Sequence, residues 1–262
     1  MTIEALVSDF DGTLVPLQHV GGLDDTAAFA TAWRGLADGE RPLFVANSGR
    51  MADDLAAALV RFGLPEPDYL IGGVGTQVCD RRGEALPGYH AYLGEFFDVG
   101  EVESVVARLP DVRRQEDAFQ SRYKSSWYWD GASDEELSGL AAQLGERGLD
   151  VTIVYSSRRD LDILPKRADK GKAVRWLAAE LGLSRAGLVV AGDSGNDSRM
   201  FTIDGVRGIV VGNAHGDLRH VARESGNDIY EAPAPAAAGV VQGLRHFGLD
   251  LPATEDAHAR SD

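Results

Sequence analysis

The strongest constraint on the fold is a rhythm in which short apolar runs, bounded by turn residues, are each followed by a segment of helical period. It runs as Ala5-Leu6-Val7, "LDDTAAFATAWRGLADG", Leu43-Phe44-Val45-Ala46 and "MADDLAAALVRFG". It resumes late in the chain as "KGKAVRWLAAELG", Gly187-Leu188-Val189-Val190-Ala191 and Gly208-Ile209-Val210-Val211-Gly212. Apolar runs without polar alternation suit strands buried on both faces, and strand and helix in alternation build a parallel sheet with helices on its faces. Such a sheet presents its functional side chains at the carboxyl ends of its strands.

The middle of the chain breaks the rhythm. Residues 98–150 read as a helix ("GEVESVVARLP"), an alternating strand ("RYKSSWYWD") and a helix ("SDEELSGLAAQLGERG"), before a further strand ("LDVTIVYSS"). Ser133 followed by Glu136 is an S-x-x-E capping box that marks the second helix start. The predicted organisation is α/β: a Rossmann-like parallel-sheet core in two parts, 1–79 and 159–252, with an inserted α/β cap domain over 80–158. The last ten residues, "ATEDAHARSD", are polar and without period, and are expected to be disordered.

Four short segments carry candidate chemistry. In Asp9-Phe10-Asp11-Gly12-Thr13, the two carboxylates fall on one face of an extended chain, where they can hold Mg²⁺ or divide the roles of nucleophile and general acid/base. A solvated turn is the other reading. Gly192-Asp193-Ser194-Gly195-Asn196-Asp197 follows a second apolar run, and suits either Mg²⁺ or the capping of a following helix. In "FVANSGR", Ser48 and the free N–H groups around Gly49 can bind phosphoryl oxygens, although Ser-Gly turns are common and Arg50 alone reads as a surface charge. Lys170-Gly171 opens a helix, where a cation opposes the helix dipole, so it is either an ordinary exposed lysine or the partner of nearby anions.

Charge narrows the partners. With 26 Lys+Arg against 41 Asp+Glu the net charge is −15, which opposes broad binding to nucleic acid or to an anionic membrane and requires any anion site to be local. The single Cys79 excludes an internal disulfide and reads as a core filler. "MTIEALVSDF" lacks a basic stretch followed by a long apolar run, and no segment approaches the roughly 18 apolar residues of a membrane span, so a cytoplasmic location is expected.

Taken in order, D-x-D-G-T, a Ser before Gly-Arg, Lys-Gly and G-D-x-x-N-D resemble the haloacid dehalogenase superfamily of phosphatases. The inserted segment is similar to the α/β cap of that superfamily's sugar-phosphatase branch. Within the branch, "GGVGTQV", "YKSSWY", "YSSRRDLDILPKRADKGKAV" and "GDSGNDSRMF" look most like the sucrose-phosphate phosphatases and their relatives.

This resemblance implies that Asp9 is the nucleophile, forming an aspartyl-phosphate, and that Asp11 is the general acid and then base. It implies that Ser48 binds a phosphoryl oxygen and that Lys170 balances charge. Mg²⁺ would sit on Asp9, the Asp11 carbonyl and Asp193, with Asp197 close by, while Thr13 and Asn196 brace the loops. Candidate substrate contacts are Gly49, Arg50, Gly75, Thr76, Lys124, Asn196 and Asn213, the last equally a turn-forming residue. Tyr123, Trp127 and Trp129 either stack on a sugar or pack the cap's own core. Arg158 and Arg159 depart from the glycine-bearing form of their stretch, which weighs against sucrose 6-phosphate itself. The implied activity is Mg²⁺-dependent hydrolysis of a small mono- or disaccharide phosphate by a monomer or homodimer. A sugar phosphomutase using the same aspartates and a non-catalytic sugar-phosphate-binding protein are the rivals.

Overall fold

The computed structural model describes residues 2–17, 22–37, 39–94 and 97–252. The chain begins with β1 (Ala5–Ser8), α1 (Leu23–Arg34), β2 (Leu43–Asn47), α2 (Ala52–Arg61), β3 (Tyr69–Gly72) and β4 (Gln77–Asp80). It continues through α3 (Tyr89–Leu93), α4 (Val99–Val106), β5 (Val112–Arg114), β6 (Ser125–Trp129), α5 (Asp134–Glu146), β7 (Val151–Ser156) and β8 (Asp160–Pro165). It closes with α6 (Lys170–Glu180), β9 (Leu188–Gly192), α7 (Ser198–Phe201), β10 (Arg207–Val210), α8 (Gly216–Glu224), β11 (Asp228–Glu231) and α9 (Ala236–His246). Among the described residues no helix is long and apolar enough to cross a membrane. The expectation for 253–262 lies outside the described residues.

The core sheet has the order β11-β10-β9-β1-β2-β3-β4 and is parallel except for β4. Its side chains alternate between two apolar layers. Leu6, Phe44, Leu70 and Val189 meet Phe29 and Trp33 of α1, Leu55 of α2 and Leu244 of α9. Val7, Val45, Ile71 and Val190 meet Val174 and Leu177 of α6, Phe201 of α7 and Leu218 of α8. Burial on both faces is why these strands read as unbroken apolar runs. Strand β1 lies between β2 and β9, with Ala5 opposite both Leu43 and Leu188. The chain winds away from β1 in both directions, so a crevice opens at the carboxyl end of β1, where such sheets bind ligands.

The inserted segment forms an antiparallel sheet in the order β5-β6-β8-β7. Helices α4 and α5 cover one face, where Val102, Val106, Leu140 and Leu144 pack on Trp127, Trp129, Leu161 and Ile163. Trp127 and Trp129 therefore belong to the cap's own core, while Tyr123 packs in the α6 layer of the main domain. Period-two alternation turns Ser126 and Tyr128 of β6, and Asp160 and Asp162 of β8, to the opposite face. The predicted capping box is present: the Glu136 N–H donates to Ser133 Oγ at 3.3 Å, and the Ser133 N–H donates to Glu136 Oε2 at 2.8 Å.

Two features differ from the sequence reading. Strand β8 pairs with β6 and β7, so a division after residue 158 falls inside the β7–β8 hairpin, and Tyr89 and Leu93 of α3 pack on the main domain. We propose that the cap runs instead from about α4 through Pro165. The hairpin itself turns through Ser157 (φ 54°) and Arg158 (φ 52°), closed by the Arg159 N–H donating to the Ser156 carbonyl at 3.1 Å. Two non-glycine residues in left-handed conformation cost about 1–2 kcal/mol each.

Candidate active site

Asp9 leaves the end of β1, and its N–H donates to the Ala191 carbonyl of β9 at 3.0 Å. Asp193 leaves the end of β9, and Ser48 the end of β2. Lys170 is the first residue of α6, whose N-cap, Asp169, accepts the Lys172 N–H at 2.7 Å. The Lys170 side chain is fully enclosed, and Nζ donates to Asp9 Oδ1 and to Asp197 Oδ1, each at 2.6 Å. Asp197 Oδ2 accepts the N–H groups of Asp193 (3.0 Å) and Ser194 (3.1 Å), which folds the Gly-rich turn around it. A cation at a helix start is thus explained by two buried carboxylates. It does not follow a strand of the core sheet, because the preceding β8 is a cap strand.

The loop after β1 is fitted against the loop after β9. Gly12 has φ +89°, and a Cβ there would overlap the Asp193 carboxylate. Thr13 Oγ1 donates to Asp193 Oδ1 at 3.5 Å. Asn213 Nδ2 donates to the Gly12 carbonyl at 2.8 Å, and its Oδ1 accepts the Ala236 N–H at 2.7 Å. The Asn213 amide therefore ties the loop to the start of α9.

Asp9, Asp193 and Asp197 each place a carboxylate oxygen within 4.8 Å of the others. Burial, then Asp197, pushes Asp9 up to about 7 although Lys170 opposes the shift. Burial, then Asp9 and Asp197, pushes Asp193 up to about 9. Lys170 is held above the ordinary lysine value by Asp197 and Asp9, against burial. One ammonium does not balance three carboxylates, and among the described residues the buried Asp9 Oδ2 has no hydrogen-bond partner. Clustered oxygen donors with an orphaned carboxylate oxygen fit a hard divalent cation.

A cavity of about 840 Å³ lies between core and cap. Its floor carries Asp9, Asp11, Ser48, Gly49, Asp193 and Asn196, and Arg50 lies at its edge. The Asp11 carboxylate is not in the aspartate cluster. Arg50 grips it at two points, Nε to Oδ2 at 2.7 Å and Nη2 to Oδ1 at 2.9 Å, and also binds Asp54 at 2.8 Å. Lys124 reaches the roof but is nearly enclosed, donating to Ser126 Oγ at 2.6 Å and pairing with Asp162 at 3.0 Å. Gly75 and Thr76 do not line the cavity: the Gly75 carbonyl accepts the Tyr89 hydroxyl at 2.5 Å, and the Thr76 hydroxyl donates to the Gly73 carbonyl at 2.9 Å.

Sequence reasoning missed Gln115, Tyr128, Asp160 and Asp162 on the roof. Two signals were available for three of them. Tyr128 falls between the two tryptophans in the alternating strand, and Asp160 and Asp162 flank Leu161 at the same spacing as Asp9 and Asp11 around Phe10.

Comparison with known proteins gives the geometry its context. The family model for sucrose-6F-phosphate phosphohydrolase matches residues 3–248. Mannosylfructose-phosphate phosphatase of Agrobacterium fabrum is 43% identical over 249 residues, covering 95% of this chain and 98% of that protein. Sucrose-phosphatase 1 of Nicotiana tabacum is 32% identical over 252 residues, covering 93% of this chain but 59% of that protein's length. The X-ray structure of the sucrose-phosphatase from Synechocystis sp. PCC6803 in complex with sucrose and phosphate matches with a TM-score of 0.83 and 26% identity, covering 94% of this chain and 98% of that one.

Proposed function

The chain belongs to the sucrose-6F-phosphate phosphohydrolase family, within the haloacid dehalogenase superfamily, and on that premise we propose that its substrate is a fructose-containing disaccharide phosphate. It is a sugar phosphatase, cleaving a phosphoric monoester. Mannosylfructose phosphate is placed ahead of sucrose phosphate, because the relative at 43% identity covers nearly the whole of both chains. The departure of this stretch from its glycine-bearing form, which brings Arg159 to the cavity, points the same way. The single cysteine, buried and unpaired, suits the cytoplasm, the setting we propose.

One observation carries the reading. Asp9 lies on the floor of a cavity with a polar roof, one oxygen bound to Lys170 and the other buried without a partner among the described residues. In the proposed reaction an Asp9 oxygen attacks phosphorus and the bond from phosphorus to the sugar oxygen breaks. Asp11 delivers a proton to that oxygen, then takes one from the water that hydrolyses the aspartyl-phosphate. This needs Asp11 to leave Arg50, whose guanidinium is then free to meet the anion that arrives. Lys170 keeps Asp9 in place and offsets its charge, and Ser48 donates to a phosphoryl oxygen. Asp9 and Asp193 would hold Mg²⁺, with Asp197 beside them. A divalent cation there supplies positive charge against the phosphoryl oxygens.

The test is phosphate release from mannosylfructose phosphate, sucrose 6F-phosphate and monosaccharide phosphates, with and without Mg²⁺, alongside Asp9→Asn. Release that needs both Mg²⁺ and Asp9, fastest on a disaccharide phosphate, is expected. Preference for a monosaccharide phosphate would overturn the substrate assignment, and a full rate with Asp9→Asn would overturn the mechanism.

A further inference from the structure

Among the described residues, Arg50, Lys124 and Arg159 bring long cationic side chains to the cavity between core and cap. Two of them are engaged, Arg50 by Asp11 and Asp54, and Lys124 by Asp162. Arg159 differs. Among the described residues its guanidinium makes no ion pair and no hydrogen bond, and it lies 4.2 Å from the centroid of the Tyr128 ring. An aromatic face holds a planar guanidinium in place while leaving its N–H donors free.

The backbone leading to Arg159 is an independent observation. Ser157 and Arg158 take successive positions in the three-residue turn between Ser156 and Asp160, with φ 54° and 52°, conformations that glycine adopts with little penalty. Strain kept at the mouth of a functional cavity is a reason to look for what it positions. Ser157 lines the cavity, so a glycine in its place would remove a hydroxyl from the wall. The turn also fixes Arg159 at both backbone groups: its N–H donates to the Ser156 carbonyl at 3.1 Å, and its carbonyl accepts the Trp129 N–H at 2.7 Å. Arg159 is thus a free, oriented cation on the roof, facing a floor that holds the phosphoryl end.

Resting on the disaccharide-phosphate reading, we propose that Arg159, with the Ser157 hydroxyl beside it, is a specificity-determining element that hydrogen-bonds the hydroxyls of the sugar ring distal to the phosphate. A substrate anchored by its phosphate at Asp9 and Ser48 extends its second ring toward the roof. Two parallel N–H donors of a guanidinium match neighbouring hydroxyl oxygens, whereas an ammonium offers a single point. Tyr128 positions the guanidinium.

The experiment compares kcat and KM on mannosylfructose phosphate, sucrose 6F-phosphate and fructose 6-phosphate, the last lacking the distal ring. Arg159→Ala is expected to raise KM for the preferred disaccharide phosphate about tenfold, with kcat changed by less than about threefold. The ratio of kcat/KM for that substrate to kcat/KM for fructose 6-phosphate then falls about tenfold. Arg159→Lys recovers only part of the ratio, because the fork is lost while the charge remains. Arg158→Gly, which relaxes the turn at a residue outside the cavity, keeps the wild-type ratio and raises Tm. An unchanged ratio in Arg159→Ala, or a loss shared equally by both substrate types, overturns the inference alone. A wild-type enzyme that hydrolyses fructose 6-phosphate but neither disaccharide phosphate overturns the substrate reading and the inference with it.

Discussion

The floor and the roof of the cavity are built on different principles. On the floor, Lys170 joins Asp9, 161 positions away in sequence, to Asp197, 27 positions away, and all three are buried. The Lys170 ammonium is what makes the two carboxylates tolerable there, since they repel each other. On the roof, Tyr128 and Arg159 touch each other across a strand pair and remain open to the cavity. On the proposed reading the contrast separates two tasks: the floor carries the chemistry through buried charges held together by one lysine, while the roof selects the substrate through side chains that can change without unfolding the protein.

The largest effects should fall on the floor. Asp9→Asn is expected to lower kcat by at least about 10⁴-fold, as for loss of a nucleophile acting within a unit. Its Tm should hold or rise, because a desolvated charge beside Asp193 and Asp197 is replaced by a neutral side chain of the same shape. Lys170→Met should lose activity too, but with a destabilisation of about 3–5 kcal/mol, since two buried carboxylates are left without their partner. Phosphate release and thermal melting on the same two variants check both statements. Equal Tm losses in the two would break the picture of a charge cluster held together by its lysine.

How much of this was legible depended on how local the cause was. Strands β1, β2 and β9 were readable because burial on both faces writes itself into each run. The floor was readable because four motifs follow one another in order and Lys170 sits against the dipole of its own helix. Strand β5 was not, since only three residues pair and two of them are exposed arginines. The sequence reading of 159–252 as core takes in β8, because nothing within "DLDILP" says that its partners are β6 and β7. The Asp11–Arg50 pair spans 39 positions, and its formation depends on how two loops meet. Asn213 and Thr76 show the same limit from the other side. Residue type names what a polar group can bind, whereas the fold decides which backbone group reaches it first.

Next in size are two stability effects that sharpen the comparison. Trp127→Ala removes a large side chain from the cap core, and is expected to cost about 3–5 kcal/mol at any pH between 5 and 9. The floor should instead respond to pH. Asp193 is raised from 3.8 to about 9 and Asp9 to about 7, so in the metal-free protein the native state holds protons that the unfolded chain has released. Stability from these groups is complete below about pH 4 and is lost as pH rises toward 9. The metal-free Tm should therefore fall by at least about 5 °C between pH 5 and pH 8.5, and adding Mg²⁺ should recover most of it at the higher pH. A metal-free Tm that rises over that range would contradict the assignment of raised carboxylates.

The smallest expected effect isolates the cap from the chemistry. Ser133 caps α5 on the outside of the cap sheet, away from the cavity, and its hydroxyl and N–H both bond Glu136. Ser133→Ala should remove about 1 kcal/mol from stability, visible as a Tm lowered by about 2–4 °C. Its kcat and KM should stay within about twofold of wild type, because α5 touches the reaction only through the apolar layer beneath the roof. If instead KM for the disaccharide phosphate rises severalfold while fructose 6-phosphate is turned over as before, the roof is coupled to the fraying of its own supporting helix. The selectivity assigned to Arg159 would then be a property of the whole cap rather than of one oriented side chain.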